Sequence, residues 1–344
     1  MPRKVHLVGS IGLDTVDEVF TTCGQLLGRH LKRIPDGEPG GRRLWISWQF
    51  PVLRANAFLE PDVTTHRAGG IGFHPLKLAE GVKPEEVRFG ELGYAREARA
   101  SYLDFTAARS EGVLSPTARF QVCLPTPLAV IGSFCVPEGR EAILAAYEKA
   151  MLGEVRAVCD AIPNKDLAIQ WDVCTEMVMW DGGLPRMPGF PGMEKTFADM
   201  FSRLSAAVPG AVELGFHLCY GDLDARHFVQ PRDTAKMAGL SDLIFTSVKR
   251  PIQWMHMPVP ADWTDGAFYE PLRDLKLPAG TELYLGLVHA TDGVAGTRKR
   301  IAAARKFVAT DFGIASECGI ARARTPALVR EILEVHAGAA DAVD

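Results

Sequence analysis

The sequence has 344 residues, of which 47% are hydrophobic and 23% are charged, so the chain can bury a large core. These proportions exclude a disordered, a collagen-like or a small disulfide-stabilised protein. The net charge of −4 supplies no positive field that would attract a phosphate backbone or an anionic membrane surface. We therefore expect neither nucleic acid nor a membrane as a partner.

The seven cysteines are odd in number and scattered along the chain, and the apolar run at residues 5–8 is too short for a signal peptide or a membrane span. Scattered cysteines without a secretory start are typical of a reducing cytoplasm, where most thiols pack as small hydrophobic groups. We therefore predict a cytoplasmic protein in which a cysteine matters only where its neighbours are unusual.

Short apolar or β-branched runs alternate with longer helical patterns, which is typical of βαβ units and a parallel sheet. The eight predicted strands are residues 4–9, 32–35, 119–124, 167–172, 211–217, 242–246, 282–288 and 312–316. The predicted helices between them are residues 13–31, 140–161, 193–207, 234–238, 291–309 and 326–336. This alternation predicts an α/β protein, with a single (β/α)8 TIM barrel over residues 1–344.

The largest irregularity is residues 39–118, which separate the second and third predicted strands and contain several prolines and glycines. Two charged helical patterns lie within this stretch, near residues 83–91 and 93–109. We predict an insertion in the barrel that forms either a substrate lid or a dimer contact, which leaves a homodimer open.

Polar side chains follow most of the predicted strands. In a barrel of parallel strands the βα loops meet at the C-terminal ends, and active sites are found there. The candidates at these ends are Ser10, Glu38, Asp172, Glu176, His217, Cys219, His289, Glu317 and Cys318.

His217 and Cys219 are two residues apart in an extended segment, so their side chains point to the same side. Imidazole and thiolate are ligands that suit zinc. Cys318, at the last strand end, is the natural third ligand from another strand. The pair alone leaves open a packed thiol beside a capping histidine.

Glu38 and Asp172 are placed to hold an ammonium group or to orient a nucleophile, although a turn or helix-cap carboxylate has the same sequence setting. His289 could move a proton because an unperturbed histidine titrates near neutrality, or it could be a hydrogen-bonded structural histidine. The remaining histidines are expected to be structural, although two of them, His227 and His256, could line the mouth of the barrel. The others are His6, His30, His66, His74 and His336.

Seven segments, taken in chain order, carry a family resemblance. They are Leu7-Val8-Gly9-Ser10, Gly37-Glu38 with the later Arg42 or Arg43 and Trp45, the stretch 120–134, Asp172, His217-Leu218-Cys219-Tyr220, His289 and Glu317-Cys318-Gly319. Together they resemble the C-terminal catalytic barrel of cobalamin-independent methionine synthase. That family belongs to a superfamily with uroporphyrinogen decarboxylase and epoxyalkane:coenzyme M transferase.

The resemblance implies that His217, Cys219 and Cys318 bind a zinc ion. It also implies a substrate site for an amino-acid thiol, with Asp172, Glu38 and His289 as catalytic residues and His289 aiding proton transfer. The implied substrate contacts are Ser10, Glu38 and Asp172, with Arg42 in the matching arginine segment and Glu176 in part of the role of a missing acidic residue. Zinc makes a bound thiol a thiolate near neutral pH, and that thiolate can attack an electrophilic carbon.

The sequence departs from the family pattern at one metal ligand. The family has a glutamate just after the sixth strand, and Ser247 occupies that place here. Serine is a poor zinc ligand, so three alternatives remain: three protein ligands with an open position, substitution by another carboxylate, or no metal. The candidate substitutes are Glu317, Asp222 and Asp242.

The resemblance covers the catalytic barrel and leaves out the family's N-terminal half, which helps to bind folate. We therefore expect a zinc-dependent methyl- or alkyltransferase to a thiol, acting on small-molecule substrates, rather than a folate-dependent methionine synthase. The alternative is a lyase or decarboxylase of the same superfamily that binds an organic acid or aromatic compound. Its binding residues would be Asp172, His289, Arg42, Lys249 and Arg250, and its cysteines would only pack. A non-catalytic thiol- or metal-binding protein is a third hypothesis.

Overall fold

The computed structural model describes residues 3–64, 73–185, 187–222 and 226–341. Its strands are β1 (Arg33–Pro35), β2 (Leu59–Pro61), β3 (Leu76–Leu78), β4 (Arg119–Pro125), β5 (Leu167–Val173), β6 (Glu213–Leu218), β7 (Trp254–Pro258), β8 (Glu282–Val288) and β9 (Phe312–Ser316). Seven of them form a curled parallel sheet in the order β1-β4-β5-β6-β7-β8-β9, and β2 and β3 form a separate antiparallel pair. The predicted α/β class with a parallel sheet is therefore confirmed.

Helices connect the parallel strands. They are α1 (Val16–Leu27), α2 (Gln49–Arg54), α3 (Tyr94–Ser110), α4 (Pro127–Phe134), α5 (Arg140–Ala161), α6 (Thr175–Trp180), α7 (Met193–Ala206), α8 (Ala235–Ser247), α9 (Gly293–Arg305) and α10 (Pro326–Ala340). Local sequence signals explain several helix starts. Thr126 and Thr325 each accept a backbone hydrogen bond at the start of α4 and α10, and each is followed by a proline at the first helical position. None of the helices in the described ranges is both long and apolar enough to cross a membrane.

Six of the eight predicted strands are strands in the structure, within two residues of the predicted bounds. Residues 4–9 do not form a continuous strand. Val5 makes single parallel bridges to Leu31, just before β1, and to Ile314 in β9. The main chain of this segment therefore lies between the two edge strands of the sheet.

The predicted sixth strand, residues 242–246, is wrong, because these residues belong to helix α8. The buried side chains of α8 include Met237, Leu240, Ser241 and Ile244, which recur at the spacing of one helix face. The missed strand is β7, all five residues of which are buried. This strand is only five residues long and contains a histidine and a proline, so its sequence resembles that of a loop.

The predicted helix at residues 93–109 is confirmed as α3, which packs against α1 and α5 as part of the helical layer. The pattern at residues 83–91 contains only a short 3-10 turn, Pro84–Glu86. Between β1 and α3 the described chain forms two 3-10 turns, α2 and the β2–β3 pair. Residues 65–72, with His66, lie outside the described residues.

Candidate active site

The three predicted metal ligands come together at the C-terminal ends of two strands. His217 lies on β6, Cys219 follows it, and Cys318 lies two residues beyond β9. One ligand atom of each lies within 4.8 Å of the other two, and the two sulfur atoms are 3.5 Å apart. The ligand-bearing groups of all three residues are buried, although Cys318 as a whole residue is intermediate in exposure.

The donor set fits zinc. The Nε2 atom of His217 is buried and has no hydrogen-bond partner among the described residues. A buried polar atom without a partner costs free energy, and a metal ion between this nitrogen and the thiols would supply the missing interaction. The residues present therefore suit a zinc ion held by one nitrogen and two sulfur atoms.

Protein groups surround the two sulfur atoms. The Gly221 N–H donates to Cys219 Sγ at 3.3 Å, and the guanidinium of Arg322 donates to Cys318 Sγ at 3.1 Å. A hydrogen bond with Cys174 and burial raise the pKa of the Cys219 thiol. Contact with Cys219 and burial do the same to the pKa of the Cys318 thiol. A dication would reverse this balance, because metals deprotonate the thiols that coordinate them.

Ser10 is held beside the Cys318 loop. A Cβ atom on Gly319 would lie 2.2 Å from Ser10 Oγ, so only glycine permits this approach. The Ile320 N–H donates to the carbonyl oxygen of Ser10 at 2.7 Å. A predicted substrate contact and a predicted metal ligand are thus joined through the backbone.

Glu38 and Asp172 form a second group of predicted residues. Burial, then Asp172 and Asp36, raise the pKa of Glu38 to about 8. Burial raises the pKa of Asp172 to about 7, although hydrogen bonds from Gln170 (2.9 Å) and Trp45 (3.1 Å) to its carboxylate oppose the shift. Glu38 also has a φ of 53°, a strained value for a residue with a side chain. Two carboxyl groups that titrate near neutrality suit a cationic ligand.

Arg42 and Glu176 each make a polar contact with a neighbouring side chain. Arg42 pairs with Asp36 at 2.8 Å. The cavity between Arg42, Asp36 and Glu38 measures about 20 Å³, room for roughly one water molecule. Glu176, on the first turn of α6, accepts a hydrogen bond from Thr126 Oγ1 at 2.5 Å. Burial raises the pKa of Glu176 to about 7.

His289 lies at the end of β8 with a carboxyl group beside it. Its Nε2 atom is 2.8 Å from the Val259 carbonyl oxygen, and its Nδ1 atom is 3.6 Å from Glu317 Oε2. The other oxygen of Glu317 is 3.3 Å from His227 Nε2. Burial raises the pKa of Glu317 to about 8 and lowers that of His289 to about 4. A carboxyl group thus lies between two imidazoles next to Cys318.

The predicted position of Ser247, just after the sixth strand, is wrong. This residue ends helix α8, and its hydroxyl donates to the Leu243 carbonyl at 2.6 Å. None of the suggested carboxylates belongs to the ligand cluster in the described part of the chain. Asp222 pairs with Arg322 and Arg324 at 3.3 and 3.1 Å, and Asp242 lies on α8. Among the described residues the cluster therefore offers three potential metal ligands.

Sequence reasoning did not connect three neighbours to this cluster, although it named His256 as a residue that could line the barrel mouth. His256 on β7 is the register partner of His217, and their Nδ1 atoms are 2.7 Å apart. Arg322 follows Cys318 by four residues, a spacing that could have suggested it. Cys174 was assigned to packing, although it follows Asp172 by two residues at the end of β5. The pairing of His256 with His217 could be found only once β7 was recognised as a strand.

The fold and the site define an α/β protein whose polar residues collect at the C-terminal ends of parallel strands. Among the solved structures that are similar to this chain, two match nearly its whole length. One is a protein assigned as a vitamin-B12-independent methionine synthase from Listeria monocytogenes, with a TM-score of 0.59 at 14% identity over 97% of each chain. The other is a B12-independent methionine synthase from Shewanella sp. W3-18-1 in complex with selenomethionine, with a TM-score of 0.55 at 14% identity over 98% of this chain and 97% of that one.

These matches confirm the resemblance predicted from the motifs, and at 14% identity it is a likeness of fold. No protein-family model matches the sequence, and no curated protein matches it.

Proposed function

We propose that this protein is a zinc-dependent enzyme that transfers a methyl or alkyl group to the sulfur of a thiol substrate. The observation that supports this most directly is the cluster of His217, Cys219 and Cys318. Its ligand atoms lie within 4.8 Å of one another, and His217 Nε2 has no hydrogen-bond partner in the part of the chain that the structure describes. Three protein ligands leave a fourth position on zinc for substrate or water, which is typical of catalytic rather than structural zinc sites.

In this proposal zinc supplies a Lewis acid that keeps the substrate sulfur as a thiolate near neutral pH. His217, Cys219 and Cys318 would hold the ion. Ser10, Glu38 and Asp172 would bind the polar end of an amino-acid thiol, with the ammonium group near the two carboxylates. Electrostatic attraction to that ammonium favours the ionised form of each carboxyl group.

His289 would assist with the proton that the thiol releases. Burial lowers its pKa to about 4, so the ring is uncharged at neutral pH. Its Nε2 atom is engaged by the Val259 carbonyl, which leaves Nδ1 facing Glu317 at 3.6 Å. We propose that the proton passes through this pair, away from the reacting sulfur.

Two architectural points belong to the same proposal. The bridges that Val5 makes to Leu31 and Ile314 favour a barrel closed by residues 4–9 as an eighth strand. The segment after β1 would serve as a substrate lid or a dimer contact. The methyl or alkyl donor would be a small molecule other than methyltetrahydrofolate.

The lyase alternative has less support. In that alternative Lys249 and Arg250 would bind an organic acid. The guanidinium of Arg250 instead donates to three backbone carbonyls just before β6, those of Val208, Pro209 and Val212. Both cations therefore lie at the N-terminal ends of the strands, away from Asp172 and His289. A requirement for a thiol cosubstrate in turnover would distinguish the transferase from a lyase.

The proposal is tested by metal content. Protein purified without chelators should contain about one zinc ion per chain, and Cys219→Ser and Cys318→Ser should each lose it because serine is a poor zinc ligand. Cys159→Ser, on α5 away from the cluster, is the matched control and should retain zinc. Wild-type protein that neither contains nor takes up zinc would contradict the proposal.

A further inference from the structure

We infer that His256 is a positioning residue that fixes the tautomer of His217, so that the lone pair of His217 Nε2 faces the metal position. This inference rests on the proposed zinc site and adds a residue that acts through one of its ligands. It concerns where protons sit on two uncharged rings, and it follows from three contacts.

The first contact joins the two histidines. His217 on β6 and His256 on β7 are register partners in the parallel sheet, and their ring centroids are 4.7 Å apart. Their Nδ1 atoms lie 2.7 Å from each other. Two ring nitrogens at this distance form a hydrogen bond, so one of them carries a proton and the other accepts it.

The second contact decides the direction of that hydrogen bond. The Nε2 atom of His256 is 3.0 Å from the carbonyl oxygen of Ser316. A carbonyl oxygen only accepts, so this nitrogen carries the proton. A neutral imidazole has a single N–H group, which makes Nδ1 of His256 an acceptor. The proton between the two rings therefore belongs to Nδ1 of His217.

The third observation agrees independently. With its proton on Nδ1, His217 has its lone pair on Nε2, and that nitrogen is buried without a hydrogen-bond partner among the described residues. In the opposite tautomer Nε2 would carry an N–H group and could not coordinate a metal. Metal-binding histidines usually donate their second N–H to a carboxylate or carbonyl. Here that role belongs to a neutral imidazole held by the strand that leads to Cys318.

His256→Phe keeps an aromatic ring and removes the acceptor, so zinc affinity should fall about 10- to 100-fold, as for other partners of metal-binding histidines. His256→Gln keeps an acceptor and should recover part of that loss. Affinity is measured by competition with a chromophoric chelator, and Co²⁺ spectra of the same variants report the ligand set. His336→Phe is the matched control, because His336 is equally buried and contacts the Ile332 carbonyl on α10 instead.

The tautomers themselves can be read from ¹⁵N NMR of the metal-free protein. We expect the proton on Nδ1 of His217 and on Nε2 of His256. A proton on Nε2 of His217, or zinc affinity in His256→Phe equal to that of the His336→Phe control, would overturn the inference. If wild-type protein binds no zinc, the proposed function fails, and the NMR measurement still decides this inference separately.

Discussion

Glu38 and Asp172 are carboxyl groups that the fold moves into the neutral titration range. Both are acids that ionise well below pH 7 in water, and burial raises their pKa values to about 8 and about 7. A neighbouring ammonium group interacts favourably only with the ionised forms. Binding of an ammonium group at this pair would therefore be coupled to the loss of protons.

This coupling gives a sign for the pH dependence. An amino-acid thioether, which has no ionisable thiol, should bind more tightly as the pH rises from about 6 to 8, because both carboxyl groups ionise over that range. Glu38→Gln should weaken binding and flatten the upper part of the profile. Calorimetric titration across this range measures it, with the ligand's deamino analogue as the control. Equal pH profiles for the two ligands would contradict the assignment.

At the residue scale the sequence predicted much of the site. The spacing of His217 and Cys219 places both side chains on one side of a strand, and Cys318 follows another strand, so their meeting at one sheet edge could be expected. The contact between His256 and His217 could not be predicted in the same way, because it joins two strands across 39 residues of sequence and no local pattern records it.

At the scale of elements, α8 and β7 decide how the site is read. Residues 242–246 are apolar enough for a strand, but packing of one helical face against the sheet makes them part of α8. Ser247 therefore ends a helix, and His256 stands on the strand beside β6. Because the sequence prediction placed the strand at residues 242–246 instead of in β7, it assigned the wrong residues to that strand end. It therefore put Ser247, and not His256, beside the candidate metal cluster.

The position of Ser247 predicts a null result in metal binding. Ser247→Ala should leave zinc content and zinc affinity unchanged, because its hydroxyl donates to the Leu243 carbonyl within α8. The cost should be limited to a hydrogen bond, about 1 kcal/mol in the free energy of unfolding. Chelator competition and urea unfolding measure the two quantities. A clear fall in zinc affinity, in a variant that unfolds like wild type, would restore Ser247 to the site.

At the scale of the molecule, charges at the opposite end of the sheet tie distant strands together. Arg33 on β1 pairs with Glu213 at the start of β6 and, at 3.1 Å, with Glu282 at the start of β8. Lys4 and Lys32 also pair with Glu282. This cluster joins the segment 4–9, β1, β6 and β8 at the N-terminal ends of the strands, away from the candidate active site.

The cluster should make the fold sensitive to acid. Burial opposes ionisation of Glu282, but Lys32, Lys4 and Arg33 prevail and lower its pKa to about 2. A depressed carboxyl pKa stabilises the fold above the unfolded value of about 4.3, and that contribution is lost as the pH falls towards 2. Glu282→Gln should therefore reduce stability at neutral pH and lessen the dependence on pH below 4.3.

Urea unfolding of wild type and Glu282→Gln at a series of pH values measures this effect. Glu331→Gln, on the exposed face of α10, is the control and should shift the free energy of unfolding by no more than about 0.5 kcal/mol. Parallel stability profiles for wild type and Glu282→Gln would rule out the proposed role of the cluster.

The sequence by itself determined the α/β class, six of the strands, and the residues His217, Cys219, Cys318, Glu38, Asp172 and His289 at strand ends. Each of these depends on short-range order, since the alternation of apolar runs and the two-residue period of a strand are written in neighbouring residues.

The tertiary structure alone decided three other points: that residues 242–246 are helical, that β7 takes the neighbouring position in the sheet, and that His256 meets His217. Burial is the physical reason. Whether an apolar run packs as a helix face or as a strand depends on its surroundings, and the proton on a histidine depends on a carbonyl sixty residues away.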